Sequence, residues 1–203
     1  MDYIIIHLDN IKNMKEILGY TSVLLAFIGY IPYLKDTLIG KTKPHLVSWF
    51  LWTLVSFIAF GLQWSKGAGA GSYANFAMGI ICLILFLLSL KNGTKSIRII
   101  DIIFFFIALV AIYLWLIVHQ PIISIILITL IDLFSFIPTF IKSWYKPWEE
   151  TLFTWIISII RQGVILLSLS NINIVTALFP LYAMMINFIF CTMVIIQRKR
   201  LKK

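Results

Sequence analysis

The sequence predicts an all-α integral membrane protein with seven transmembrane helices, arranged as two parallel three-helix repeats joined by a linker helix. Three observations carry that expectation. Of 203 residues, 61% are hydrophobic and only 12% charged, more apolar surface than a soluble domain of this size can bury. The apolar residues fall in continuous runs close to the roughly 20 residues a helix needs to cross a bilayer; they do not alternate as barrel strands do. One pattern also occurs twice, 106 residues apart: Ile31-Pro32, Leu46 and Trp49, then Ile137-Pro138, Leu152 and Trp155, with 17 residues from proline to tryptophan in both. Such a repeat points to a transporter-like architecture whose working site lies between the copies.

The elements follow in chain order. Residues 1–16 carry Ile4, Ile5, Leu8 and Ile11 at near-helical spacing, with Asp9, Lys12 and Glu16 between. This reads equally as a leader into the first span or as a helix lying on the membrane surface. Apolar segments follow at about 17–36, 46–64 and 72–90, which make the first repeat within 17–91. The linker helix, about 99–118, lies within 92–121, and segments 122–142, 151–169 and 174–196 make the second repeat within 122–197. Residues 198–203 form a basic tail. Asn92-Gly93 and Gln120-Pro121 mark turns. The run GAGAGS at 67–72 reads as a flexible turn of small residues; it lacks the Lys-Ser/Thr ending of a phosphate loop.

Charge sets the orientation. The net charge of +9 is distributed unevenly: 13 of the 17 lysines and arginines fall on one side of a seven-span arrangement. They are Lys35, Lys41, Lys43, Lys91, Lys95, Arg98, Lys142, Lys146 and the tail from Arg198 to Lys203. The other side holds Lys12, Lys15 and Lys66, and Arg161 lies within a span. Basic loops stay cytoplasmic, so the N-terminus is expected outside and the C-terminus in the cytoplasm, in a plasma membrane or bacterial inner membrane. The positive charge is thereby a topology signal, and no nucleic-acid partner is expected.

Pro32 and Pro138, near the inner ends of spans one and five, and the order of three spans, one span and three spans resemble the SWEET and PQ-loop family of membrane transporters. In that family two three-helix bundles are joined by an inverting fourth helix. Tyr33 and Thr139 stand where its proline-glutamine motif has glutamine. The resemblance covers nearly the whole chain. It implies a carrier for a small polar solute, a passive facilitator or a proton-linked one, that works by alternating access. It also implies that an asparagine from the third helix of each repeat contacts the ligand together with tryptophan; Asn187 and, in part, Asn75 match those places. The alternative is a seven-helix receptor or sensor of similar fold, as KDEL receptors are.

Helix faces give candidate residues without the resemblance. Trp49, Trp52, Ser56 and Gln63 share one face of span two, and Trp155, Ser158 and Gln162 repeat its first three places in span six. A polar-aromatic face on a spanning helix should look into the bundle. The substrate pathway is therefore expected along Trp49, Trp52, Ser56, Asn75, Trp155, Ser158, Gln162 and Asn187. Two plainer roles compete: small polar residues also pack membrane helices, and Trp49 and Trp155 could be interfacial anchors. Pro32 and Pro138 each remove a helix hydrogen bond, and the matched pair is expected to act as hinges.

Asp132 and Arg161 are charges deep in spans five and six. At 1.5 Å per residue they lie about 15 Å and about 12 Å from the outer edge, so an ion pair between them is expected. Glu149-Glu150 reads as a capping device at the start of span six. No catalytic constellation is visible: the three histidines show no ligand spacing, and Cys82 and Cys191 lie singly in apolar runs. No enzyme activity, cofactor or metal is expected; the partners are a small polar solute and membrane lipid, with homo-oligomer formation left open.

Overall fold

The computed structural model describes residues 2–93 and 99–201, apart from the side chains of residues 2–8, 100, 101, 104 and 138. Lys95, Arg98, Lys202 and Lys203, counted above in the charge asymmetry, lie outside the described residues, as does the side chain of Pro138. The described residues are all-α, with seven α-helices: α1 (Asp2–Leu38), α2 (Leu46–Ser65), α3 (Tyr73–Asn92), α4 (Ile99–Leu116), α5 (Pro121–Tyr145), α6 (Leu152–Ser168) and α7 (Ile174–Arg200).

Local chemistry explains where the helices stop and start. The His45 ring nitrogen accepts from the Ser48 backbone N–H and caps α2. Pro121 occupies the first turn of α5, where its missing N–H costs nothing. Asn173 caps α7 in a reciprocal box with Thr176. The prolines inside α1 and α5 interrupt neither helix.

Five stretches are long and apolar enough to cross a membrane: Asp9–Leu38, Leu46–Ser65, Gly69–Asn92, Pro121–Tyr145 and Ile174–Arg200. Two fall short of the expected seven. The described apolar part of α4 is Phe105–Leu116, and α6 has 17 residues, about 25 Å at 1.5 Å per residue. Residues 2–16 are helical and run into the first span without a break, as part of the single 37-residue helix α1.

Six helices close a ring. α1 packs against α3 and α6, α2 against α3 and α5, and α7 against α5 and α6. α4 stands outside it, against α5 and more lightly against α2, pinned where the Ser124 hydroxyl donates to the Ala111 carbonyl at 2.9 Å. Chain neighbours α1 and α2 are thus separated by α3, and α5 and α6 by α7. The apolar faces left outward, such as Leu24, Phe27 and Ile31 on α1 and Phe188 and Ile189 on α7, suit contact with lipid.

The small-residue segment at 67–72 is not a flexible surface turn. Gly69–Ser72 is a 3-10 turn with Ala68, Ala70, Gly71 and Ser72 buried. It wedges between α1 and the α6–α7 connection, where the Ser170 backbone N–H donates to the Ala68 carbonyl at 3.1 Å. Small side chains are needed because backbones meet: a Cβ on Gly19 would lie 2.5 Å from Ala70 Cβ and 2.7 Å from its carbonyl carbon. Gly69 has φ +63°, and a Cβ there would meet Ser170 Oγ at 2.4 Å. Gly19→Ala should therefore lower stability by about 1–3 kcal/mol through overpacking. Gly163→Ala, whose new Cβ would sit 3.8 Å from Met184 Sδ, should be neutral or add about 0.5–1 kcal/mol through helix propensity. Thermal unfolding of both variants in detergent checks the contrast.

Candidate functional site

The faces that α2 and α6 turn inward begin identically. Both helices start on a leucine, Leu46 and Leu152, with tryptophan three residues on. Trp49 is 1% and Trp155 3% exposed, so neither is an interfacial anchor. They belong to a layer of rings that spans the bundle. Trp49 meets Trp52 edge-on at 4.9 Å, Trp52 meets Phe136 at 5.2 Å, Phe136 meets Trp155 at 5.3 Å, and Trp155 meets Phe190 at 4.8 Å. Tyr33 packs on Trp49 at 5.2 Å and on Trp155 at 6.4 Å. Edge-to-face rings at these separations attract beyond their burial, by about 0.5–1.5 kcal/mol per pair.

One to two turns further along α2 and α6 from this layer lies a small cavity with about 50 Å³ of free space, room for a few waters or one small polar group. Every helix of the ring contributes to its wall and α4 does not. α1 gives Tyr30, α2 gives Trp52 and Ser56, α3 gives Asn75, Met78 and Cys82, and α5 gives Asp132 and Phe136; α6 gives Trp155, Arg161 and Gln162, and α7 gives Phe179, Ala183 and Asn187.

The wall has unmet hydrogen-bonding capacity. Among the described residues, nine buried side-chain nitrogens or oxygens have no partner, and five belong to this wall. Trp52 Nε1, Arg161 Nε and Arg161 Nη1 are donors; Gln162 Oε1 and Asn187 Oδ1 are acceptors. Asn187 Nδ2 is already held by the Ala183 carbonyl at 2.6 Å, which leaves its oxygen as the free end. Buried polar atoms usually find partners inside the protein, so this concentration marks a place built to meet something else.

Asp132 and Arg161 line this cavity but form no ion pair with each other. The expected pair rested on matched depth in consecutive helices, and the depth argument missed the neighbour relation. α7 stands between α5 and α6, so the two charges approach the cavity from separate walls. The Tyr182 hydroxyl of α7 faces Asp132 without reaching hydrogen-bond geometry. Arg161 is 3% and Asp132 7% exposed.

Six of the eight expected pathway residues line the cavity: Trp52, Ser56, Asn75, Trp155, Gln162 and Asn187. Trp49 and Ser158 do not. Trp49 lies in the aromatic layer, and the Ser158 hydroxyl is 3.4 Å from that of Tyr30. Asn75 is only partly free, since its Nδ2 donates to Gln63 Oε1 at 2.7 Å, while Gln63 Nε2 donates to the Thr176 carbonyl at 3.0 Å. That amide chain joins α2, α3 and α7 on the far side of the cavity from the aromatic layer.

Beneath the aromatic layer is a network that sequence reasoning missed. Glu150 does not cap α6. Its side chain is fully buried, pairs with Lys142 and accepts from Trp155 Nε1 at 3.1 Å. Lys142 Nζ also donates to the Lys43 carbonyl at 3.1 Å. Arg198 donates to the backbone carbonyls of Glu150 at 2.6 Å and Pro147 at 3.1 Å, with its guanidinium 4.8 Å from the Trp148 ring centroid. The Thr151 hydroxyl donates to Asp36 at 2.7 Å and accepts from the Thr42 hydroxyl at 3.0 Å. The network thereby joins α1, α5, α7 and the connections that enter α2 and α6. No signal in the sequence sets Glu150 apart from Glu149, which meets Lys146 at 3.7 Å near the surface. Among the described residues, no group of histidine, cysteine, aspartate and glutamate is arranged to hold a metal ion.

Comparison of the chain with family models, with curated proteins and with solved structures returned no significant match.

Because two buried nitrogens of Arg161 have no hydrogen-bond partner and no carboxylate pairs with it among the described residues, its removal should relieve a cost. Arg161→Met should unfold at the same temperature as the parent or higher, a gain of up to about 1–4 kcal/mol, whereas breaking a buried ion pair would cost about 3–5 kcal/mol. Thermal unfolding in detergent without added solute distinguishes the two.

Proposed function

We propose that the protein carries a small polar solute across a membrane by alternating access between two three-helix repeats, in the manner of the SWEET and PQ-loop transporters its sequence resembles. The carrying observation is the central cavity, walled by all six ring helices and supplied with five unpartnered polar atoms. A site where two repeats meet is the usual place for substrate in transporters built this way.

The neighbour relations support the repeat reading. Under the 106-residue offset α1, α2 and α3 correspond to α5, α6 and α7. The contacts of α1 with α3 and of α3 with α2 then match those of α5 with α7 and of α7 with α6, while α1 on α6 matches α5 on α2. α4, outside the ring, takes the part of the linker. Thus α4 and α6 complete a seven-span arrangement, short as they are, and the basic residues place the N-terminus outside and the C-terminus in the cytoplasm.

In this reading the aromatic layer and the Glu150 network form the inner closure, and the Gln63–Asn75–Thr176 amide chain forms the outer one. Alternating access breaks one set while the other holds. Pro32 and Pro138, at matched places near the inner ends of α1 and α5, are the hinges. The reading is non-catalytic, and the working partners are the solute and the surrounding lipid.

Two measurements test it. Cysteines at Ser56 and Gln162, placed singly in a protein lacking Cys82 and Cys191, should react with small water-soluble thiol reagents, and a transported solute should slow both reactions. If both stay inert while cysteines on the lipid-facing sides of α2 and α6 react, the cavity is not a pathway. For topology, Ile172→Cys, 69% exposed, should label from outside intact cells, and Ile39→Cys, 66% exposed, only after permeabilisation. Labelling of both from one side would overturn the seven-span orientation. Uptake into liposomes separates a carrier from a receptor.

A further inference from the structure

We infer that the solute carries a carboxylate, and that Arg161 is its binding group. This inference rests on the transport reading of the same cavity and adds the chemical class of what enters it.

Arg161 is the buried cation of the cavity. Its side chain lines the cavity, it is 3% exposed, and Nε and Nη1 have no protein partner. A guanidinium stays charged at any physiological pH, so the charge cannot be removed by losing a proton. An uncompensated buried cation is costly, and a neutral solute would leave that cost in place. An anion removes it. Among anionic groups the site favours one of single charge. It offers one arginine, and Asp132, which lines the same cavity from another wall, opposes a second negative charge. A carboxylate presents two oxygens to a guanidinium in charge-assisted hydrogen bonds. Trp52 Nε1 is a further unpartnered donor on the same cavity.

The remainder of the wall suits the other end of such a solute. Asp132, Gln162 Oε1 and Asn187 Oδ1 all accept hydrogen bonds, and the last two have no partner. They fit a donor group, the ammonium of a zwitterion or the hydroxyl of a hydroxy acid. With about 50 Å³ of free space, the cavity selects for a small molecule.

The test uses the full-length protein in detergent at constant ionic strength. Tryptophan fluorescence is the readout, because Trp52 and Trp155 line the cavity. L-Lactate, acetate and L-alanine are titrated beside lactamide, acetamide and L-alaninamide, which keep size and shape but lack the carboxylate. At least one acid should bind saturably, and its amide should bind at least about tenfold more weakly, as expected where a charged contact is lost. In Arg161→Gln that preference should disappear. L-Lactate bound more tightly than L-alanine indicates a plain carboxylate. L-Alanine bound more tightly, with the gain lost in Asp132→Asn, indicates a zwitterion; either result supports the inference. Equal binding of acids and amides overturns it, as does saturable acid binding that survives Arg161→Gln or the absence of acid binding altogether. If Arg161→Gln does not fold, the comparison of acids with amides in the parent protein decides alone. Failure here is separable from failure of the transport reading. Neutral solutes that protect cysteines at Ser56 and Gln162 would leave a transport pathway without a carboxylate site. Inert cysteines at both positions would remove the pathway itself.

Discussion

The centre of this molecule depends on one packing constraint: α3 stands between α1 and α2, and α7 stands between α5 and α6. α1 and α2, and likewise α5 and α6, are thereby kept from packing side by side, and Tyr30, Ser56, Asp132 and Arg161 reach the middle from separate helices. Arg161 shows the consequence. Were α5 and α6 adjacent, Asp132 could have reached it; with α7 between them, two of its nitrogens remain unpartnered on the cavity wall. The close approaches that hold the arrangement are made by small residues. Thr154 donates to the Gly29 carbonyl at 2.7 Å where α6 crosses α1, and Gly19 admits the 67–72 segment beside α1.

The two ends of the cavity differ in their chemistry. One is a chain of neutral amides, from Asn75 through Gln63 to the Thr176 carbonyl. At the other end the tryptophan rings lie next to charged groups: Lys142 pairs with the buried Glu150, and Asp36 accepts from Thr151. Trp155 belongs to both layers at once, because its ring packs on Phe136 and Phe190 while its indole N–H donates to Glu150. A displacement of Glu150 would therefore be felt directly in the aromatic layer. Hydrogen bonds to charged groups contribute about 1.5–3 kcal/mol each, against about 0.5–1.5 kcal/mol between neutral groups, so the charged end is held together more strongly.

Much of the fold was legible because membrane helices announce themselves by length and apolarity. A repeat was expected because Pro32 and Trp49 recur as Pro138 and Trp155 at one offset. Of the eight residues expected along a pathway, six line the cavity, since a 3.6-residue period fixes a helix face without reference to neighbours. What spacing does not encode is which helix lies beside which. That is why the depths of Asp132 and Arg161 suggested a pair that α7 keeps apart. It is also why the Glu150 network was missed: its partners, Lys142, Trp155 and Arg198, meet through three-dimensional packing and carry no pattern of their own. The 67–72 segment was misread for another reason. Glycine and alanine are as common in mobile turns as in places where backbones touch, and composition does not separate the two.

The brevity of α6 bears on how the bilayer itself meets the protein. Its 17 residues extend about 25 Å, less than the roughly 30 Å of a typical hydrocarbon core. A span that short is accommodated by local thinning of the membrane, at a cost of a fraction of a kcal/mol per Å of mismatch. Arg161 is near its middle. Thinning brings headgroups and water closer to that depth from both leaflets, which lowers the energy of holding a permanent charge there. In the proposed seven-span arrangement the shortest described α-helix thus carries its charge where a thin bilayer holds it at lower cost.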